Sequence, residues 1–369
     1  MRRAEARVNL AAVERNCARL REIAGTDLCA VVKADAYGHG AAPVARAALA
    51  GGARWLAVAA AQEAADLRAA GVESRLLVMG AISDEELPLA VEAGADVVAW
   101  RESFVERLAA SGLPARVHVK LDTGMGRLGT RDVDEARRVA AAVEAAYGLD
   151  LIGAMTHFAT ADELGDAFFG EQLDRFLPFA EELRARGALA HAANSAGALR
   201  SDEARLDLVR CGIAVYGMDP FHEDPVPHGL EPALELSSYV AEVKPIAPGE
   251  SAGYGRRFVA DRETHLAVLP IGYGDGVRRA LTNNADVLVR GRRHPLVGTV
   301  SMDNVTIDVG PDPVVRPGDR AVLIGADGDE RVLAEEWARR LGTINYEITC
   351  GLTRRVPRVY HRDGVEAAR

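Results

Sequence analysis

No run of apolar residues in the 369-residue chain approaches the ~18 that a membrane span requires. The opening "MRRAEARVNL" has basic residues but no apolar stretch or small-residue cleavage site behind them, so no signal peptide is read and a cytoplasmic protein is expected. Positive charge is in deficit: 44 Lys and Arg stand against 54 Asp and Glu, for a net charge of −10 and a pI near 5.5. A nucleic-acid partner, which favours a basic face, is therefore not expected. The four cysteines, Cys17, Cys29, Cys211 and Cys350, lack C-x-x-C spacing, which argues against a zinc site or a disulfide framework, and they are read as small buried hydrophobes. No metal site is expected: "GADGDE" (325–330) lacks the ligand pattern of a calcium loop and reads as a turn. A Walker loop and a strand-linked G-x-G-x-x-G are missing as well, which disfavours nucleoside triphosphates and dinucleotides.

Apolar residues make up 49% of the chain and the mean hydropathy is −0.03, as in a soluble globular protein. Short β-rich apolar segments recur at 28–33, 54–60, 75–80, 95–100, 115–122, 149–158, 189–195 and 206–217. Between them lie stretches rich in Ala, Glu and Arg with helical periodicity, such as "APVARAALAGG" and "DEARRVAAAVEAAYG", that repeatedly end in Gly, the residue favoured just past a helix. This alternation predicts an α/β fold with an N-terminal (β/α)8 TIM barrel over residues 1–235; a doubly wound open sheet is the competitor. Beyond the Pro-, Gly- and His-rich stretch 217–234 the period changes to that of short strands, which predicts a mostly β C-terminal domain over 236–369. One helix, "LAEEWARRLG", interrupts those strands, and the first eight or so residues are expected to pack with the C-terminal domain.

Barrels of this kind carry their active sites at the C-terminal ends of the strands. Lys33, Tyr37 and His39 stand there after the first strand, Lys120, Asp122 and Arg127 after the fifth, His157 after the sixth, Asn194 and Ser195 after the seventh, and Arg210 in the eighth. The loops "NSAG" and "RCGIAVYG", small and with a hydroxyl, lie where barrels commonly hold a phosphate. A lysine opposite a phosphate site suggests a Schiff base, because burial lowers the pKa of its amine and makes it nucleophilic toward a carbonyl. Pyridoxal 5′-phosphate needs such a lysine, a phosphate cradle and a partner for its ring nitrogen, for which Arg210 is a candidate.

The segments "AVVKADAYGHG", "DTGMGRLG", "THFATAD", "ANSAG", "VRCGIAVYG", "AGYGRRF", "PIGYGDG", "GTVSMDN", "INYEITC" and "RRVPRVY" resemble, in order and across almost the whole chain, the motifs of the bacterial alanine racemase family. The resemblance implies a homodimeric isomerase that uses pyridoxal 5′-phosphate to interconvert L- and D-alanine, supplying D-alanine for peptidoglycan, with active sites shared across the interface. Lys33 would hold the cofactor as an internal aldimine and act as the base on one face of the substrate Cα, and Tyr254 of the other subunit would serve the opposite face. Racemisation requires such a pair, because a proton removed from one side must be returned from the other. By the same resemblance Tyr37, Ser195, Tyr346 and the backbone of Gly212 and Ile213 contact the phosphate, beside Asn194, and Arg210 with His157 serves the ring. Arg127 would bond the cofactor's phenolic oxygen near the substrate carboxylate, Met302 and Asp303 of the other subunit would lie at that carboxylate, Tyr273 would stand at the substrate entrance, and Lys120 would match a lysine often carbamylated. Ser301, Asn304 and Gly274 depart from the residues commonest in the family, Cys, Gln and Ala, without removing a proton carrier. A racemase of serine or of broad specificity, a non-catalytic pyridoxal phosphate-binding barrel and a basic amino-acid decarboxylase are the alternatives; the last two fit less well, since such carriers lack the domain bearing Tyr254 and such decarboxylases use a cysteine in its place.

Overall fold

The structure is a computed structural model that describes residues 2–367. The chain divides into two compact units, one of residues 13–221 with 226–231, the other of residues up to 12, 222–225 and 232 onward.

In the first unit eight parallel strands follow one another: β2 (Asp27–Val31), β3 (Trp55–Val58), β4 (Arg75–Val78), β5 (Asp96–Ala99), β6 (Ala115–Lys120), β7 (Leu149–Met155), β8 (Leu189–His191) and β9 (Leu208–Cys211). They pair in the order β8-β7-β6-β5-β4-β3-β2-β9. The ring is closed between its two ends by the Arg210 N–H donating to Ala193 O at 2.9 Å and the Asp207 N–H donating to Ala190 O at 3.1 Å. The expected eight-stranded barrel is thus observed, and the open sheet is not.

Several of these strands, β3 and β5 among them, are buried along their whole length, as expected where both sheet faces are covered. Residues of one parity, Cys29, Val31, Trp55, Ala57, Leu77, Val98, Met155 and Leu208, form the inner core. His118, Lys120, His191 and Arg210 share that parity, so part of the same interior is polar. The helices turn apolar faces inward. Helix Val133–Ala145 buries Ala136, Val139, Ala140 and Val143, spaced as one helical face requires. Its start is fixed by Asp132, whose carboxylate accepts the Asp134 N–H at 2.9 Å.

The second unit is mostly strand. Its largest sheet runs β16 (Arg292–Pro295), β15 (Asp286–Val289), β18 (Arg320–Asp327), β10 (Leu234–Tyr239), β1 (Ala4–Asn9), β20 (Arg358–Arg362) and β21 (Val365–Glu366), with β19 (Glu330–Val332) beside β18. Strand β1 is an inner strand, antiparallel to β10 and parallel to β20. A three-stranded sheet of β11 (Glu242–Ile246), β14 (Thr264–Leu269) and β17 (Val305–Gly310), and the short pair β12 (Ser251–Ala252) and β13 (Phe258–Val259), complete it.

The cysteine expectation needs one correction. Cys17, Cys29 and Cys211 are buried, but Cys350 is exposed. The short helix Asn345–Cys350 turns Asn345, Ile348 and Thr349 inward, and position 350 falls on the opposite face.

Candidate active site

Strand β2 ends at Val31, and Lys33 opens a turn of an uncommon kind. Ala34, Asp35, Ala36 and Tyr37 all lie in the left-handed region, with φ of 51°, 54°, 54° and 50°. For L-residues this costs about 1–2 kcal/mol each, so the surroundings must impose it. Within the turn the Gly38 N–H donates to Ala34 O at 3.0 Å and the Gly40 N–H to Asp35 O at 2.8 Å. The Asp35 carboxylate accepts the Ala41 N–H at 2.8 Å, and His39 Nδ1 donates toward Ala36 O and Tyr37 O, each at 3.0 Å. Tyr216 secures the approach: its hydroxyl donates to Val31 O at 2.7 Å and its ring meets that of Tyr37 edge-on and stacks on His39. Lys33, partly exposed, is therefore presented by a rigid and strained segment.

Across the barrel, Arg210 of β9 is buried, and among the described residues no carboxylate pairs with it. Its Nη1 donates to His191 Nδ1 at 2.7 Å; its Nη2 donates to Thr156 O at 2.7 Å, to Ala192 O at 3.0 Å and to His157 Nδ1 at 3.3 Å. None of these bonds uses Nε. Burial lowers its pKa to about 10, which leaves it cationic at neutral pH. Beyond His191 the chain of bonds continues: His191 Nε2 lies 2.9 Å from His118 Nδ1, and His118 Nε2 lies 3.2 Å from Asp96 Oδ2. Burial pushes His118 below its ordinary pKa and, with the nearby Arg210 charge, pushes His157 and His191 well below theirs, so all three rings are neutral. Asp96 stays ionised: burial opposes its charge, but the His118 bond together with Arg75 and Arg116 holds its pKa below the ordinary value.

Lys120 ends β6, buried near further cations. Burial, then the charges of Arg210 and Arg127, lower its pKa to about 8, with Asp122 opposing and Lys33 adding to the shift. The loop that follows is built on Asp122, whose carboxylate accepts the Gly124 N–H at 3.0 Å and the Gly126 N–H at 3.0 and 3.1 Å and pairs with Arg131 at 3.3 Å. Arg127 stands exposed on this loop. Four cations, Lys33, Lys120, Arg127 and Arg210, therefore share one region with few anions, an environment that favours anionic ligands.

The two loops expected to hold a phosphate meet. Asn194 caps the short helix Ser195–Arg200 by accepting the Gly197 N–H at 2.9 Å, and Ser195 Oγ accepts the Gly212 N–H at 3.0 Å and the Ala214 N–H at 3.3 Å. Ile213 begins a helical turn, where its N–H has no intrahelical acceptor. Gly212 is required by close approach, because a Cβ there would collide with the Tyr37 ring and hydroxyl.

Tyr254, Tyr273, Met302, Asp303 and Tyr346 belong to the second unit. Thr299 Oγ1 donates to Tyr254 O at 2.6 Å, and the N–H groups of Tyr273 and Gly274 donate to Ser301 O and Met302 O, each at 2.9 Å, which gathers Tyr254, Tyr273 and Met302 into one cluster. All three are exposed although large and hydrophobic, at 74% for Tyr254, 51% for Met302 and 41% for Tyr273. The Ser301 hydroxyl closes the loop by donating to Asn304 O at 2.9 Å and accepting the Asn304 N–H at 3.0 Å. Asp303 pairs with Arg355 at 2.6 Å, and half-buried Tyr346 stands on the helix Asn345–Cys350 near the ring of His222.

The reading of the sequence missed Asp96, His118 and His191. The parity of β6, "ARVHVK", places His118 on the same face as Lys120 and was the available signal.

Fold and side chains together are those of a barrel with a cationic, lysine-bearing candidate site. Family models described as "Alanine racemase, N-terminal domain" and "Alanine racemase, C-terminal domain" match residues 8–220 and 233–360. The alanine racemase of Thermobifida fusca is 44% identical over 367 residues, covering 97% of this chain and 98% of that one. Among solved structures, alanine racemase from D-cycloserine-producing Streptomyces lavendulae superimposes with a TM-score of 0.91 at 38% identity, covering 97% of each chain. That from Bacillus anthracis with bound L-Ala-P gives 0.91 at 36% identity, covering 100% of this chain and 97% of the other. The chain belongs to the alanine racemase family, and with it to the isomerases that racemise alanine.

Proposed function

We propose that the chain racemises alanine through pyridoxal 5′-phosphate by a two-base mechanism, with Lys33 on one face of the substrate Cα and Tyr254 of a second copy on the other. The observation that carries this reading is Lys33 on a strained turn, in a region shared by Arg210, Lys120 and Arg127. The residues present fit the cofactor. The Ser195 hydroxyl, the Ile213 N–H and Tyr37, together with Asn194 and the close-packed Gly212, suit its phosphate; Arg210 Nε and His157 suit its ring. Tyr346 is assigned to the same phosphate. When bound, the cofactor supplies an electron sink that lets the Cα–H bond ionise.

The chain's own groups do the rest. Arg210 donates toward the ring nitrogen but keeps its proton, since a guanidinium with a pKa near 10 stays charged at neutral pH. Lys33 Nζ takes or returns a proton on its face, and the Tyr254 hydroxyl does so on the other. The exposure of Tyr254 with Met302 and Tyr273 supports their service to a second copy, hence a homodimer. The Met302 N–H holds the substrate carboxylate, Arg127 serves the cofactor's phenolic oxygen close by, Asp303 steadies the Met302 loop through Arg355, and Tyr273 lines the entrance. Lys120, with its pKa near 8, has an appreciable fraction of uncharged amine at neutral pH, which is what carbamylation needs; the carbamate would set a negative charge beside Arg127. The D-alanine so made would supply peptidoglycan synthesis in the cytoplasm.

Incubation with L-alanine in deuterated water tests the proposal. Loss of optical activity with deuterium uptake at Cα is expected. Exchange with retained configuration would sink the two-base reading.

A further inference from the structure

We propose that Glu63 is a positioning residue for Lys33, acting through the backbone of the left-handed turn. Glu63 sits in the first turn of the helix Ala61–Ala69, which follows β3. One of its oxygens does what a glutamate there ordinarily does: Oε2 accepts the Ala59 and Ala60 N–H groups, at 2.8 and 3.1 Å, at the start of its own helix. The other leaves the helix altogether. Oε1 accepts the N–H of Ala34, the residue after Lys33, at 2.6 Å and across 29 positions of sequence.

Ala34 is where the strained backbone begins, with φ 51° and ψ 50° after Val32 at φ −114° and ψ 20°. Nothing about an alanine favours that conformation. The carbonyls farther along the turn are fastened by Gly38, Gly40 and His39, whereas the Ala34 N–H is fastened by Glu63. The carboxylate therefore fixes the peptide plane between Lys33 and Ala34 and, with it, the direction in which the lysine leaves the strand. An amine that must meet a carbonyl carbon on one side and a Cα proton afterwards depends on that direction. This rests on the reading of Lys33 as the imine-forming base, and it adds the group that aims it.

The capping function tolerates glutamine, because a capping box uses Glu or Gln. The second function does not, since a glutamine carries a single acceptor oxygen and can serve either its own helix or Ala34. Glu63→Gln therefore separates the two roles, with Glu63→Ala as the variant that removes both. In cofactor-free full-length protein, Lys33 is acylated with acetic anhydride and its yield is normalised to that of the exposed Lys244; the rate of imine absorbance on adding pyridoxal 5′-phosphate, kcat per cofactor-loaded site and the melting temperature are measured alongside. Glu63→Gln is expected to change normalised Lys33 acylation at least about threefold and to slow imine formation and kcat about tenfold, with the melting temperature within a few degrees of the parent. Parental acylation and imine rates in Glu63→Gln would overturn the proposal, as would losses in either variant that merely track the fraction unfolded. If the parent itself forms no imine while acylation still differs between parent and variant, the cofactor reading fails and the role of Glu63 in orienting Lys33 stands.

Discussion

Arg210 and Asp96 are the two ends of one directed chain of hydrogen bonds through the barrel interior. The guanidinium can only donate and the carboxylate can only accept, so the Nδ1 atoms of His191 and His118 must be acceptors and their Nε2–H groups donors. The buried cation at the site is thereby linked to an anion at the start of β5, where Arg75 and Arg116 hold that anion in place.

Breaking the chain in its middle should be costly. His118→Phe fills the same space but leaves the His191 Nε2–H without its acceptor and Asp96 without one of its donors. A loss of about 1–3 kcal/mol is expected for a buried polar group left unmet, read from urea midpoints at unchanged m-value. A parental midpoint would show that the imidazoles are not coupled in this way.

The neutral histidines predict acid sensitivity with a definite sign. His118, His157 and His191 have folded-state pKa values below the ordinary 6.5. Between 6.5 and those lower values the unfolded chain binds more protons than the folded one, so stability rises with pH there and falls as the pH drops below about 6.5. Asp96, depressed below 3.8, loses its own contribution only at still lower pH. Unfolding free energies measured from pH 8 to 5 should show the first decline, and His191→Gln should flatten it; a stability independent of pH across that range would contradict the neutral assignment.

Tyr254→Phe removes one hydroxyl from an exposed side chain and should leave folding unchanged. Turnover should drop by at least about a hundredfold, in keeping with the loss of a general acid–base group, while the cofactor-linked visible absorbance persists. Lys33→Ala should lose that absorbance. An undiminished rate in Tyr254→Phe would remove the second base from the mechanism.

Gly212→Ala tests the packing of the cradle. Its Cβ would meet the Tyr37 ring and hydroxyl, and Tyr37 is already held by Tyr216 and by the strained turn. Cofactor affinity should weaken at least about tenfold by absorbance titration, equivalent to about 1.4 kcal/mol. Tyr37→Leu combined with Gly212→Ala should cost less than the sum of the single changes, because the collision disappears.

The barrel was legible because its strands are short apolar runs bounded by glycine-ended helices. The limits of those runs were less so. The segment 206–217 reads as one strand, yet the structure ends β9 at Cys211 and winds Ile213–Tyr216 into a helical turn; a buried apolar run does not by itself distinguish the two. Lys33 was legible because an ionisable group at a strand end is conspicuous. The turn behind it was not, since a positive φ is ordinarily announced by glycine, and here Ala34, Ala36 and Tyr37 adopt it because distant groups such as Tyr216 and Glu63 require it. Asp96, His118 and His191 escaped notice for a related reason: each looks ordinary on its own strand, and only ring closure brings β5, β6, β8 and β9 around a common interior.

The placement of β1 has a consequence for how the molecule is made. Residues 4–9 leave the ribosome early, but their sheet partners β10 and β20 lie at 234–239 and 358–362. The barrel can close once β9, ending at residue 211, has emerged, while β1 waits with both edges unpaired. Until residues 358–362 are made, β1 therefore lacks one of its two sheet partners, and the alternation of apolar and polar residues in "AEARVN", with the charges of Glu5 and Arg7 among the polar ones, is a pattern that disfavours pairing with other chains.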